Sequence, residues 1–565
     1  MTDKPQLTTI MRYKNSKQSS DLTFWMLLLV NLTANAFGLH EHFSLFGIFC
    51  VVAFSGLTAT VETYIIHTVT KFSEITGSIF KWVLIGLCMI SVIIDVYTLK
   101  EFGFLLYLDP FLLVISTPTG EAKSFIESYV SWEDICVAII CSAVTLFLLY
   151  RLSHIIAINI GKKYQKRLAI TCAITGTCLC AVLVYLIATG QPGLHIPAYS
   201  IPTRIANSYR YACKNSDTLI GWINANRNIN ATARKAPEFD IVFIVGESFN
   251  RYHASPYGYE KNTMPHMMER IKHKEAIIFT DVYTSGDITR NAMTDILSMS
   301  ALTDHTAYSQ LFPAIFRKAG YFTAMYNNNY RVQTQSAGIE NPVECNPVLA
   351  NICYDRHSDF LKYNLGYDTI PADFIERANR PGLYFIHLYG QHFTYRDRFP
   401  KYFTHFRPSE YNSSHTENQR RILADYDNAT LYNDHIVNEI INFWKNRDAV
   451  VIYISDHGEE VFDCRDFFGH STADISPCPK YQLDIPMFVI TTEAFRSKHP
   501  DKVAQIRENS DRQFCTGDIG HMLVDLADID TPSFDPKRSV INPAYDESRP
   551  RMFKVSHGGE IQVYE

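Results

Sequence analysis

Five apolar stretches crowd the first ~190 residues, each near the ~20 residues a helix needs to cross a bilayer. They lie at about Leu22–Leu39, Phe46–Ile66, Trp82–Leu99, Ile135–Ile155 and Leu168–Ala188. Inside hydrocarbon every backbone polar group needs a partner within the chain, which leaves such stretches little choice but helix. The first is not a removable signal, because no small-residue cleavage site follows it cleanly and further spans come after it. Basic residues set the orientation. Lys4, Arg12, Lys14 and Lys17 precede the first span, Lys71 and Lys81 lie between the second and third, and Arg151, Lys162, Lys163, Lys166 and Arg167 lie between the fourth and fifth. All three groups fall on one side, the cytoplasmic side, and an odd number of spans puts residues from about Gly190 onward outside.

This divides the chain into residues 1–190, a five-span transmembrane domain; 191–237, an interfacial bridge; and 238–565, an outer domain. Between the third and fourth spans, residues 101–134 form a loop too apolar for plain coil. Phe104–Leu108 and Phe111–Ile115 flank Asp109-Pro110 there. It reads as an amphipathic element in the membrane interface, either lining a lipid's path or packing on the spans. In the bridge, Pro192, Pro197 and Pro202 interrupt helix early, and Arg204–Asn224 then has helical spacing with Ile205, Tyr209, Ala212 and Trp222 on one face.

Hydrophobic residues make up 47% of the chain, concentrated in its first third, and the formal net charge is -6. With no basic patch interleaved with aromatics, a nucleic-acid partner is excluded. Six cysteines fall in the outer domain: Cys213, Cys345, Cys353, Cys464, Cys478 and Cys515. An even number in an oxidising compartment points to disulfides. Short loops favour Cys345–Cys353 and Cys464–Cys478 and leave Cys213 with Cys515, although spacing does not fix the connectivity.

From Asp240 onward strands alternate with helical stretches. The strands are expected at Ile241–Val245, Ala276–Thr280, Tyr321–Tyr326, Leu383–Ile386, Ala449–Ser455 and Ile485–Ile490, with helices including Gln419–Phe443 and Asp518–Ala527. The alternation predicts an α/β domain with a mainly parallel sheet and helices on both faces. Several strands stop at polar residues. The first delivers Glu247; the third Asn327, Asn328 and Asn329; the fourth His387 and then His392; the fifth Asp456 and His457, with His470 following. In an open α/β sheet these ends share the edge where ligands bind. A Glu with an Asp-His pair supplies the O/O/N donors of a zinc site that keeps room for a fourth ligand.

Tyr283–Asn291 follows a strand and precedes an apolar helical stretch containing Met293, Ile296 and Leu297. Thr289 stands at the start of that helix. There it is either an N-cap or, beside a metal, a nucleophile at a helix end that favours an anionic phosphoryl group.

These residues carry a family resemblance. Gly246-Glu247-Ser248-Phe249-Asn250-Arg251-Tyr252-His253, with Tyr257-Gly258-Tyr259 and Thr263-Met264-Pro265, resembles the opening motif of membrane-bound phosphoethanolamine transferases of the alkaline phosphatase/sulfatase-like superfamily. Ser455-Asp456-His457-Gly458-Glu459 is similar to their second signature, and five spans followed by an outer α/β domain is their layout. The resemblance implies that Glu247, Asp456 and His457 ligate Zn2+. It makes Thr289 both fourth ligand and nucleophile, and His392, His470 and Asn329 substrate-binding residues. It further implies phosphatidylethanolamine as donor, a lipopolysaccharide or other envelope glycan as acceptor, and a bacterial inner-membrane location with the catalytic domain in the periplasm.

There are departures from the pattern. Many members have Cys-Gly-Thr-x-Thr-Ala and a proline where this chain has Ser285-Gly286-Asp287-Ile288-Thr289-Arg290. A lysine that some members place after the Asn pair is absent, with Gln333 near that position and Arg331 available to substitute. The Thr-Arg form is more similar to the branch that modifies lipopolysaccharide core sugars or related glycans. A phosphoglycerol transferase is the nearest alternative. A sulfatase would need a Cys or Ser in a Cys/Ser-x-Pro-x-Arg setting, and none occurs near Thr289. A non-catalytic glycan-binding module with structural zinc fits poorly, since structural sites are closed and thiolate-rich. The aromatic and basic residues of 395–406 suit a solvated loop better than a sugar site.

Overall fold

The computed structural model describes residues 22–36, 45–102, 132–159, 164, 166–171, 173–175, 177–178, 219–300, 302, 309–329, 346–359, 366–369, 378–470, 475, 478–555 and 561–564. The chain divides into two units: Met1–Ile115 with Tyr129–Tyr211, and Ser116–Ser128 with Ala212–Glu565.

The first unit holds helices α1 (Leu22–Ala36), α2 (Leu45–Phe72), α3 (Glu74–Phe102) and α4 (Trp132–Asn159). Ser73 separates α2 from α3, and its Oγ accepts the Thr76 N–H at 3.2 Å, a side-chain cap for α3. Among the described residues two helices are long and apolar enough to cross a membrane, Glu74–Tyr97 and Ile135–Ile156, where five spans were expected. The second half of α2 carries Glu62, His67 and several threonines. Their hydroxyls turn back onto the preceding turn: Thr60 to Gly56 O at 2.7 Å, Thr63 to Ala59 O at 2.6 Å, Thr70 to Ile66 O at 2.6 Å. Asn31 donates to Glu62 at 2.9 Å and Asn35 to Ser55 at 2.9 Å, polar ties between α1 and α2. The fifth expected span falls mostly outside the described residues, as do the interfacial loop and most of the bridge. The bridge's last helical turns, 219–227, are described, and Trp222 is buried against the second unit's core.

That unit is built on a seven-stranded sheet. Its strands are β1 (Asp240–Gly246), β2 (Ala276–Phe279), β3 (Phe322–Asn327), β4 (Arg356–Asp359), β5 (Gly382–His387), β6 (Ala449–Ser455) and β7 (Met487–Thr491). They lie in the order β2-β7-β6-β1-β5-β3-β4. Strands β1, β5 and β6 are buried along their whole length, as their unbroken β-branched and aromatic runs require.

The sheet is mixed rather than wholly parallel, because β7 runs antiparallel to both β2 and β6. A parallel return needs a crossover back to the opposite edge. The link from β6 to β7 instead stays at the edge where β6 ends, furnishing Asp456, His457 and His470, and its short helix Pro479–Leu483 is no crossover. Edge strand β4 was not expected from sequence; Arg356-His357-Ser358-Asp359 contains no apolar residue.

Side chains alternate between two cores. Ile241, Phe243 and Val245 face one, with α5 (Thr289–Leu297), α6 (Phe312–Lys318) and α8 (Ile519–Leu526). Val242 and Ile244 face the other, against the long helix α7 (Glu417–Trp444) through Tyr426, Ile436, Ile440 and Trp444. A capping box starts α7: Thr416 Oγ1 accepts from Gln419 N at 3.2 Å and Gln419 Oε1 from Thr416 N at 2.7 Å.

Cys464 and Cys478 form a disulfide, one of the three pairings considered. Cys353 and Cys515 are free thiols, and Cys345 and Cys213 lie outside the described residues. Cys353 ends a helix inside the apolar core, where it packs as a small hydrophobe, and burial pushes its thiol up to about 12.

Candidate metal centre

Parallel pairing sets Gly246 of β1 beside Ser455 of β6. The residues that follow, Glu247 on one strand and Asp456-His457 on the other, therefore leave the sheet side by side. Thr289 approaches from the start of α5. Ile288 is the N-cap of that helix and contributes no side-chain bond, so Thr289 is its first residue and not its cap. Its hydroxyl points away from the helix: Oγ1 lies 3.2 Å from both carboxylate oxygens of Glu247 and 3.3 Å from His457 Nε2. His457 Nε2 is 3.2 Å from Glu247 Oε1 and 3.3 Å from Asp456 Oδ2. All four residues are buried.

This donor set fits a tetrahedral cation. Ligands about 2.0 Å from a zinc ion stand roughly 3.3 Å from one another, and the separations above are 3.2–3.3 Å. Asp456 Oδ2, although buried, accepts no hydrogen bond among the described residues. The electrostatics agree. Burial and the charge of Glu247 push Asp456 above the usual carboxylate range. Burial opposes a charged His457, yet Asp456 and Glu247 outweigh it and push the ring up to about 10. Burial raises Glu247 too, but His457, His392 and His387 more than offset that and hold it well below the usual carboxylate range. Two carboxylates meeting in a buried site need positive charge, which protons supply when no cation does.

The surrounding turn is built for this geometry. Ser248 has a left-handed backbone (φ 56°), rare for a residue with a side chain. In that conformation its Oγ donates to Glu247 Oε1 at 2.9 Å and its N–H to Asp456 Oδ1 at 3.1 Å. Gly390 (φ 48°) packs so closely that a Cβ there would stand 2.8 Å from the Glu247 nitrogen. Gly286, before α5, is equally confined; a Cβ would meet Asn291 Cβ at 2.8 Å and Ala292 N at 2.9 Å.

The three residues expected to bind substrate also converge here. Asn329 Nδ2 donates to Glu247 and lies 3.3 Å from His387 Nε2. His470 lies tilted against His457, ring centres 4.1 Å apart. His392 is buried against Tyr389 and Phe393, and burial pushes it down to about 3, which keeps the ring neutral.

Two supporting carboxylates escaped the sequence reading as site residues. Glu459 accepts from His470 Nδ1 at 2.6 Å and from the Tyr395 hydroxyl at 2.5 Å. Asp368 accepts from the Tyr389 and Gly390 N–H groups, each at 2.9 Å, and from Asn328, and so shapes the turn that carries His392. Glu459 sits within the Asp-His-Gly-Glu motif and was within reach of the sequence; nothing around Asp368 marks it.

A mixed sheet covered by helices, with this donor set at its edge, is the architecture of the sulfatase family, and the chain belongs to that family: the Sulfatase family model matches residues 240–529, just over half of the sequence. Its relatives include phosphoethanolamine transferases. Phosphoethanolamine transferase EptC of Escherichia coli (strain K12) is 26% identical over 473 residues, covering 77% of this chain and 78% of that one. The crystal structure of the C-terminal periplasmic domain of EptC from Escherichia coli, in complex with Zn, is similar with TM-score 0.50 at 25% identity, over 60% of this chain and 95% of that one. The integral membrane protein lipooligosaccharide phosphoethanolamine transferase A (EptA) from Neisseria meningitidis shares the fold over 93% of this chain and 98% of its own, with TM-score 0.54 at 16% identity.

Proposed function

We propose that this protein is a zinc-dependent phosphoethanolamine transferase. Five spans hold it in a bacterial inner membrane with the α/β domain in the periplasm. It moves phosphoethanolamine from phosphatidylethanolamine to a lipopolysaccharide or related envelope glycan. The observation that carries this reading is the Thr289 hydroxyl, turned away from its own helix and held 3.2–3.3 Å from Glu247 and His457.

Glu247, Asp456, His457 and Thr289 would hold the zinc ion. Bound there, zinc lowers the pKa of the Thr289 hydroxyl and offsets charge on phosphoryl oxygens. Thr289 Oγ1, its proton lost, attacks the phosphorus. The bond from phosphorus to the diacylglycerol oxygen breaks, and that oxygen takes up a proton. The phosphoethanolamine is then esterified to Thr289. An acceptor oxygen attacks the same phosphorus from the side the leaving group vacated, gives up its proton, and Thr289 recovers its hydroxyl. His392 and His470 bind phosphoryl oxygens, with Glu459 fixing the His470 tautomer through Nδ1. Asn329 binds the transferred group. The membrane anchor raises the effective concentration of a lipid donor.

The test is intact-protein mass spectrometry after incubation with phosphatidylethanolamine and zinc, with peptide mapping of residues 283–293. The expected result is a phosphoethanolamine adduct on Thr289, absent in Thr289→Ala, together with diacylglycerol release that the variant loses. Near-normal transfer by folded, zinc-loaded Thr289→Ala would sink the covalent mechanism.

A further inference from the structure

The match to the sulfatase family ends at residue 529, yet the chain goes on to form a hairpin of β8 (Met552–Lys554) and β9 (Ile561–Val563). That hairpin returns to the loop in front of Thr289. Lys554 N donates to Ser285 O at 2.8 Å, and Lys554 bridges Gly286 in parallel. Its Nζ reaches past the loop to Asp295 Oδ1 at 2.6 Å, on the last full turn of α5. One residue thus grips both the loop that leads into Thr289 and the helix that starts with it.

The grip is anchored behind and opposed in front. Behind it, Phe553, Val555 and Tyr564 pack with Tyr283 and Leu483 in a small apolar cluster of their own. Arg551 pairs with Asp281 at 2.7 Å and lies over the Tyr283 and Tyr564 rings, and the Tyr564 hydroxyl donates to Asp484 at 2.9 Å. In front, the Thr284 hydroxyl donates at 2.5 Å to the carbonyl of Asp456, a proposed metal ligand, and Ser285 N donates to Thr516 Oγ1 at 3.3 Å. The loop is therefore fixed to the metal centre on one side and to the C-terminal hairpin on the other. Asp295 is buried, and an unpaired carboxylate there would be costly, so the Lys554 ammonium 2.6 Å away matters to the site's geometry.

We infer that Lys554 is a positioning residue for Thr289: by joining Ser285, Gly286 and Asp295 it holds the nucleophile segment at the distance from Glu247 and His457 that transfer needs. The inference rests on the function proposed above. Displacement of a reacting group by about 1 Å can cost on the order of a hundredfold in rate.

The experiment compares full-length wild type, Lys554→Met, which keeps most of the stem, and Lys554→Arg, which keeps the charge. Two readouts are taken at matched folded fraction, measured by thermal unfolding. The first is backbone hydrogen exchange over residues 284–297, which needs no substrate. The second is the rate of phosphoethanolamine attachment to Thr289. Lys554→Met is expected to exchange faster in that segment and not in β1 or β6, and to lose roughly ten- to hundredfold in attachment rate with little change in the donor concentration for half-maximal rate. Lys554→Arg is expected to recover most of both. Wild-type exchange and wild-type attachment in Lys554→Met would overturn the inference, as would a rate loss no larger than its unfolded fraction. If wild type itself attaches nothing to Thr289, the function proposed above fails, and exchange in Lys554→Met still decides whether the grip exists.

Discussion

Ser248 donates its backbone N–H to Oδ1 of Asp456 across 3.1 Å, linking two strand ends 208 positions apart in sequence. The same residue reaches Glu247 with its hydroxyl, and its own carbonyl accepts the Tyr426 hydroxyl of α7 at 2.8 Å. The left-handed backbone at Ser248 lets one residue meet all three, a strained conformation kept where it organises a site.

Replacing that residue separates strain from bonding. Ser248→Gly relieves roughly 1 kcal/mol of left-handed strain, whereas Ser248→Ala keeps it. Both lose the hydroxyl that orients Glu247. The alanine variant should melt below the glycine variant, while both bind zinc roughly 10- to 100-fold more weakly in competition with a chromogenic chelator. Unchanged zinc affinity in both variants would refute the orienting role.

Removing metal should expose the cost of gathering Glu247 and Asp456. A ligand at a thousand times its Kd stabilises the folded state by about 4 kcal/mol. Chelation is therefore expected to lower the melting temperature, and added zinc to restore it. Magnesium, which prefers six oxygen ligands, should not. The check is differential scanning calorimetry of the protein in detergent.

Gly390→Ala should be far worse than Gly258→Ala. Both glycines have positive φ, but a Cβ at 258 meets nothing within 4 Å, while one at 390 collides with the Glu247 backbone. The first change should cost about 1 kcal/mol of strain and spare zinc binding. The second should cost roughly 2–4 kcal/mol and weaken zinc binding as Glu247 is pushed aside. Urea unfolding and metal titration on both variants test the contrast.

His253 predicts a loss of stability in alkali. It is buried, with Nδ1 2.7 Å from Asp427 and Nε2 3.3 Å from Asp463. Burial works against a charged ring, yet Asp427 and Asp463 outweigh it and push His253 from 6.5 up to about 10. A raised folded-state pKa stabilises fully below about pH 6.5, and the contribution fades as pH climbs toward 10. The unfolding free energy from urea titration should fall between pH 7 and 10 by an amount on the order of a few kcal/mol. In His253→Gln the slope should flatten; an unchanged slope would remove the ion pair from the account.

Much of the second unit was legible because its strands are short, mostly apolar runs that end abruptly, and all six that were expected occur within a residue or two of their places. The direction of β7 was not legible, since a buried strand reads alike in either orientation and its reversal depends on a link that stays at one edge. Strand β4 was hidden by four polar residues. The four clustered donors were readable from their places just past strand ends and at a helix start. Asp368 was not, because its partners lie some twenty or forty positions away and only the folded turn brings them to it. The cysteines were paired by loop length, and loop length says nothing of the apolar core in which Cys353 lies.

The crosslink between Cys464 and Cys478 spans 14 positions and encloses His470 but no strand of the main sheet. Sheet and helices can therefore assemble while both sulfurs are reduced, and the bond closes only where the surroundings oxidise thiols. What the bond fastens is the segment around His470, not the sheet or the helices that pack on it.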